Sequence, residues 1–275
     1  MKWIVMDMDG TLLTSDKKIS QRTKDKLIEL ERAGNCLALA SGRPFKGMIE
    51  YAKELEMDKY EGLLISSNGA RVQSMDGTII CESPLDINVA KQILKHLESF
   101  DVQPMIEHGD EMIIDASKQK LISVAGKPFD VLNYEIAGNG FQKKAVTNLA
   151  DEVDFAPAKI LTAGSDFYLQ ENWQKMAEPF ATNTSSMFTG PFYYEFTAKG
   201  VDKGTALAQL EKLGYMNKAD VIGFGDAPND IPLFKGAGLK VAMGNAHEDT
   251  KKAADLVTAD NDHDGIARCL EDCFR

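Results

Sequence analysis

The chain has 275 residues, 44% of them apolar, and a formal net charge of −11 from 31 basic and 42 acidic side chains. That length allows two domains rather than one small core, and so acidic a surface excludes a general nucleic-acid binder because it repels a polyphosphate backbone. No apolar run approaches the ~20 residues of a membrane span. The four cysteines, Cys36, Cys81, Cys269 and Cys273, lack CxxC spacing and read as reduced thiols of a cytoplasmic protein.

Residues 3–7 (WIVMD) predict a short buried strand, too short for a signal sequence because Asp7 cuts it off. Residues 20–34 (SQRTKDKLIELERAG) predict a helix that opens on a capping serine, ends on glycine and keeps Leu27, Ile28 and Leu30 on one side. CLALA (36–40) predicts a second strand, SGRPFKGMIEYAKELEM a second helix and GLLIS (62–66) a third strand. ARVQS and TIICE flank Asp76-Gly77, a strong hairpin signal. Strands separated by helices of this length favour a parallel, doubly wound sheet.

The middle third changes character. Residues 85–100 predict a helix, VQPMIEHGDEMIID a hairpin turning at Gly109-Asp110, and KILTA and MFTGPFYYEF further strands. Proline marks both seams, at Pro84 and Pro191. Residues 83–191 therefore read as an α+β domain inserted into an α/β core of residues 1–82 and 192–275. The last third resumes the alternation. Asp202 caps a helix that runs to Leu213, ADVIGFGD is a strand, and Pro228 opens a helix. LKVAMG is a strand, HEDTKKAA a helix and DGIARCLEDCF a closing amphipathic helix.

Four segments carry candidate chemistry. Asp7 and Asp9, at i and i+2, point to one side of a strand end, in the crevice where parallel α/β sheets bind ligands. Two carboxylates ~5 Å apart repel by about 3 kcal/mol at an effective dielectric near 20, so a hard cation such as Mg²⁺ suits the pair. A plain Asp-Gly turn is the bland alternative. LALASGRP puts Ser41, Gly42 and Arg43 after the second strand, where a hydroxyl and amide groups at a helix start would seat an anion. GVDKGTAL puts Lys203 in the first turn of a helix, where it opposes the macrodipole and suggests a bound anion. GFGDAPND puts Asp226, Asn229 and Asp230 just beyond a strand. Each segment alone has an ordinary reading as a turn, cap or solvated charge. Together they supply carboxylates, hydroxyl, lysine and amide to one crevice.

In that order, DMDGTLL, ASGR, VDKG and GDAPND resemble the four motifs of the haloacid-dehalogenase-like phosphatases, and the insertion resembles the α/β cap of their Cof-type branch. SNGA (67–70) and ADNDHDG look like the same branch. The resemblance implies a Rossmann-like core, a cap that closes over the crevice, and a Mg²⁺-dependent phosphatase. Its substrates would be small phosphorylated metabolites such as sugar phosphates, phosphorylated cofactors or nucleotides. It implies Asp7 as nucleophile forming an aspartyl-phosphate and Asp9 as general acid, then base. Mg²⁺ would sit on Asp7, Asp226 and the backbone carbonyl of Asp9. Ser41, Gly42, Lys203 and Asn229 would hold phosphate, with Asn229 and Asp230 orienting Lys203 or a water, and Arg43 and Asn68 nearby. A phosphosugar mutase and a non-catalytic sensor of phosphorylated ligands are the alternatives.

A rival motif lies near the end. DNDHDGIARCLE (260–271) fits the calcium-loop pattern with Asp260, Asp262, Asp264, Gly265 and Glu271. That pattern needs a helix leading into the loop, whereas residues 255–259 read as a strand, so the expected role is a loop in which Asp264 caps the last helix. The histidines have no metal-ligand spacing, and GFGDAP lacks the third glycine of a dinucleotide fingerprint.

Overall fold

The computed structural model describes residues 1–274, which divide into two compact units: Met1–Glu82 with the chain from Asp202 onward, and Ser83–Val201. In the first unit the chain runs β1 (Trp3–Met6), α1 (Gln21–Arg32), β2 (Cys36–Ala40), α2 (Lys46–Glu54), β3 (Leu63–Ser66), β4 (Arg71–Ser74) and β5 (Ile79–Glu82). In the second unit it continues through α3 (Ile87–Leu97), β6 (Gln103–His108), β7 (Glu111–Asp115), β8 (Ile122–Val124), β9 (Lys127–Phe129), α4 (Val131–Asn139) and β10 (Gln142–Val146). That unit ends with α5 (Leu149–Glu152), β11 (Lys159–Ala163), α6 (Asp166–Ala177), β12 (Thr184–Gly190) and β13 (Tyr193–Ala198). The chain returns to the first unit with α7 (Lys203–Lys212), β14 (Val221–Gly225), α8 (Ile231–Lys235), β15 (Leu239–Ala242), α9 (Glu248–Ala253), β16 (Leu256–Val257) and α10 (Gly265–Cys273).

The first unit is built on an eight-stranded sheet in the order β16-β15-β14-β1-β2-β3-β4-β5. The pairs from β16 to β3 are parallel, and β3-β4 and β4-β5 are antiparallel, the latter pair joined by the Asp76-Gly77 turn. β1 is apolar on both faces and fully buried because helices cover both sides of a parallel sheet. The strand order reverses at β1. From it the chain winds outward to β2 and β3, while the returning segment lays down β14 and β15 on the other flank. That reversal opens a crevice beyond the carboxyl ends of β1 and β14.

The second unit is α+β. Its six-stranded sheet has the order β10-β7-β6-β11-β13-β12, mostly antiparallel, with a separate β8-β9 hairpin. Ile106, Ile113, Ile160, Tyr194 and Phe196 pack one sheet face onto α3, α5 and α6. Met105, Met112, Ile114 and Leu161 belong to a second cluster with Val131 and Leu132 of α4.

Three sequence expectations are corrected. The return to the first unit lies at Val201/Asp202, not at 191/192. Gly190-Pro191 is the turn joining β12 to β13, and β13 pairs with β11 and β12 inside the second unit. The second helix starts at Lys46, not at Ser41, since Pro44 disfavours helix in the residue before it. Asp264 precedes α10 in a left-handed conformation (φ 58°), and its carboxylate bonds the Ser20 hydroxyl at 2.6 Å instead of capping the helix. No helix among the described residues is long and apolar enough to cross a membrane.

Candidate active site

The crevice is assembled from the ends of β1, β2, β3 and β14 and the start of α7. Parallel register sets Met6 beside Phe224, and the Asp7 amide donates to the Phe224 carbonyl at 3.1 Å. Asp7 and Asp226 therefore leave adjacent strands within one residue of the same level. Thr11 donates its hydroxyl to Asp226 Oδ1 at 2.7 Å. Gly10 holds φ +83°, and a Cβ there would lie 2.5 Å from Asp226 Oδ2. The Asp-Gly step thus serves as more than a turn, because only glycine lets the loop close onto that carboxylate.

Lys203 is the first residue of α7. Asp202 caps that helix, its carboxylate accepting from the Thr205 amide at 2.7 Å while Thr205 Oγ1 accepts from the Asp202 amide at 3.0 Å. The lysine is wholly buried and donates from Nζ to Asp7 Oδ1 at 2.5 Å and to Asp230 Oδ1 at 2.6 Å. Two carboxylates more than offset its unfavourable place on the helix dipole. Burial pulls the ammonium pKa down, but Asp230 and Asp7 outweigh it and raise the pKa above the ordinary value. Asp230 Oδ2 accepts the Asp226 and Ala227 amides at 2.9 and 3.0 Å, which fixes the turn that carries Asp226.

Asp9 takes a different environment. Arg43 donates to it through Nε (2.7 Å) and a terminal nitrogen (2.8 Å), and Lys17 Nζ donates at 2.7 Å. Burial raises its pKa, but the Arg43 hydrogen bonds and charge, with Lys17, outweigh burial and hold it at about 2. Asp7 moves the other way, to about 8. Burial is the main cause, Asp230 and Asp226 add to it, and Lys203 opposes it. Asp226 rises to about 6, again first through burial, with Thr11 pulling it down and Asp230 up.

The remaining predicted residues line the β2–β3 side. Ser41 is buried, and its Oγ accepts the Arg43 amide at 3.2 Å. The Asn68 amide donates to the Ser41 carbonyl at 2.8 Å, and Asn229 Nδ2 donates to Asn68 Oδ1 at 3.3 Å. A Cβ on Gly42 would sit 3.1 Å from Asn68 Nδ2, so this loop is packed against Asn68. Gly69, at φ +98°, lies so close to the Asp202 carbonyl that a Cβ would come within 2.2 Å, which lets the β3 loop meet the start of α7. The fold thus gathers the predicted residues into an Asp7–Lys203–Asp230 group with Asp226 beside it, an Asp9–Arg43 pair, and a Ser41–Asn68–Asn229 set. Sequence reasoning missed Thr11 and Lys17. Thr11 sits inside the quoted DMDGTLL, while Lys17 gave no signal because its approach depends on a tight turn.

Oxygens of Asp7, Asp226 and Asp230 lie within 4.8 Å of one another. Three carboxyl groups face the single Lys203 ammonium, and burial first, with Asp230 as a smaller cause, raises the pKa values of Asp7 and Asp226. An all-oxygen donor set fits a hard divalent cation.

Residues 4–270 match the family of haloacid dehalogenase-like hydrolases. The chain belongs to that family. It is 26% identical over 293 residues to phosphatase YwpJ of Bacillus subtilis, covering 98% of this chain and 99% of the relative. It is also 28% identical over 271 residues to the 5-amino-6-(5-phospho-D-ribitylamino)uracil phosphatase YcsE of the same organism, covering 98% and 94%. The crystal structure of a haloacid dehalogenase-like hydrolase from Bacteroides thetaiotaomicron superposes with a TM-score of 0.87 at 30% identity over 99% of both chains.

Proposed function

We propose that the chain is a Mg²⁺-dependent phosphatase of small phosphorylated metabolites that works through an aspartyl-phosphate on Asp7. The class, phosphoric monoester hydrolase, is that of the family and its named relatives; the metal, the intermediate and the substrate range are our reading. The observation that carries it is the buried Lys203 bridging Asp7 and Asp230 beside Asp226 at the sheet's switch point.

A carboxylate oxygen of Asp7 forms a bond to phosphorus while the P–O ester bond breaks and the leaving oxygen takes a proton from Asp9. Asp9 then removes a proton from water, whose oxygen attacks phosphorus, freeing phosphate and restoring Asp7. Arg43 and Lys17 keep Asp9 ionised, the form the water step needs. To act as the acid Asp9 must first take up a proton, either the one it removed from water in the preceding turnover or one carried in on a monoanionic phosphate ester. It then passes that proton to the leaving oxygen. Lys203 fixes the Asp7 rotamer and offers positive charge to the transferring group, and Ser41 and Asn229 stand on the other side of the crevice. Asp7 and Asp226, with the Asp9 carbonyl, would hold Mg²⁺. The ion would supply charge neutralisation between carboxylate and phosphoryl oxygens. Phosphorylated sugars, the substrates of ribitylamino-uracil phosphatase type and nucleotides make up the substrate range to be screened. Four free thiols accord with a reducing compartment.

The test is phosphate release from a panel of some dozens of phosphorylated metabolites by wild type and Asp7→Asn. Wild type should hydrolyse several, and the variant should lose about 10⁴-fold or more in kcat/KM while keeping its circular dichroism. Substantial residual turnover would remove Asp7 from the nucleophile role, and isomerisation without phosphate release would favour a mutase.

A further inference from the structure

We infer that Asn245 and Asn261, with Asp262 and Asp264 beside them, are positioning residues that clip the loop after β1 and thereby orient Asp9. This rests on the reading of Asp9 as general acid given above. The loop of residues 10–20 is the segment on which Asp9 depends, and it has little helix or sheet of its own. Its internal bonds are local: the Leu13 amide reaches the Met8 carbonyl at 2.8 Å, and a tight turn joins the Thr14 amide to the Lys18 carbonyl at 2.9 Å. Bonds of that kind do not fix where a loop stands relative to a sheet.

Beside the Thr11 hydroxyl on Asp226 and the Tyr51 hydroxyl on the Lys17 carbonyl, polar anchoring comes from residues 245–264. Asn245 Nδ2 donates to the Gly10 carbonyl at 2.8 Å, and Asn261 Nδ2 donates to the Leu13 carbonyl at 2.8 Å. Asn245 Oδ1 accepts the Asn261 amide at 3.2 Å, tying the two asparagines together. Asp262 accepts the Ser15 amide at 2.8 Å and the Ser15 hydroxyl at 2.6 Å, and Asp264 accepts the Ser20 hydroxyl at 2.6 Å. The asparagine contacts fall on the residue after Asp9 and on Leu13, which bridges to Asp9. Gly10 is also the residue whose missing side chain admits Asp226. A shift of the Gly10 carbonyl therefore moves Asp9 and the Asp226 approach together.

This accounts for the calcium-like pattern without calcium. β16, not a helix, leads into it. Its carboxylates are engaged: Asp260 with His263 Nδ1 at 2.6 Å, Asp262 with Ser15, Asp264 with Ser20, and Glu271 with Arg22 at 2.8 Å. The pattern binds a loop of its own chain.

The experiment compares two leaving groups in Asn245→Ala, Asn261→Ala, Asn261→Gln and Asp9→Asn. p-Nitrophenyl phosphate departs without a proton, whereas an alkyl phosphate, here the sugar phosphate that wild type turns over fastest, needs one. kcat/KM covers only the steps through P–O cleavage, and any unfolded fraction cancels in the ratio of the two substrates. Each alanine variant should lose about tenfold or more on the sugar phosphate and less than about threefold on the nitrophenyl ester. Asn261→Gln, which keeps an amide donor, should recover part of the loss. Equal losses on both substrates, or no loss, in folded alanine variants would overturn the proposal. If Asp9→Asn itself shows no leaving-group dependence, the general-acid reading falls as well, so the two failures are distinguishable.

Discussion

Each unit buries a lysine against carboxylate, and the two lysines differ in what surrounds them. In the second unit Lys159 on β11 donates to Glu195 on β13 at 2.6 Å, both side chains under a tenth exposed. Burial lowers the Lys159 pKa, but Glu195 and Glu107, with a smaller part from Glu135, raise it overall. The pair joins neighbouring antiparallel strands, and short-range pairing brings it together. In the first unit Lys203 serves two carboxylates delivered by β1 and by the turn after β14, with Asp226 beside them. The first arrangement is a buried ion pair between paired strands, with Glu107 and Glu135 also near the lysine. The second brings oxygens of three carboxyl groups within 4.8 Å of one another at the sheet's switch point, a grouping that suits a divalent cation.

Four changes would sharpen or break that contrast. The largest effect is expected from Lys203→Met, which should lower kcat/KM on every phosphate ester by about 10²–10³-fold; activity near wild type would make Lys203 a structural residue like Lys159. Next, Lys159→Met leaves Glu195 buried without its ammonium and should cost about 3–5 kcal/mol in denaturant unfolding. Turnover of p-nitrophenyl phosphate by the folded fraction should hold near wild type, and a selective loss of turnover at unchanged stability would erase the distinction.

The third change is pH. Asp7 and Asp226, at about 8 and about 6, bind protons more tightly folded than unfolded. Without metal they therefore cost stability increasingly as pH rises from about 4 toward about 8. Asp9, held at about 2, contributes stability that is present above about pH 4 and lost as pH falls toward 2. A divalent ion needs the ionised carboxylates, so Mg²⁺ should raise Tm more at about pH 8 than at about pH 5 and should release protons on binding. Thermal melts at both pH values and calorimetry in buffers of different ionisation heat check this, and a pH-independent shift would contradict binding by these carboxylates. The smallest effect is expected from Asp202→Ala, which removes the α7 cap and should cost about 1 kcal/mol with little change in rate. A large rate loss there would mean that the start of α7 is held less firmly than its bonds to Asp7 and Asp230 indicate.

The core was legible in the sequence because its signals are local. WIVMD, CLALA and ADVIGFGD are continuous buried strands, and the candidate residues follow each strand directly. Lys203 betrayed itself by standing where a helix dipole disfavours it. The illegible parts depend on pairing at a distance. Pro191 looks like a seam, but only the register of β13 against β11 shows it to be a hairpin turn. β8, β9 and α4 are short and largely exposed, so residues 116–158 offered little periodicity to read. Asp264 looked like a helix cap because its partner, Ser20, lies 244 positions away.

The interrupted layout of the first unit also sets an order of events during synthesis. β1 is made before every other strand of its sheet, yet one of its two neighbours, β14, is among the last. Until then the sheet has an open flank at its most apolar strand, and Asp7 has neither Lys203 nor Asp230 beside it. A nascent chain or an early-terminated fragment thus holds Asp7 in an unassembled crevice until α7, β14 and the turn that carries Asp230 have been made.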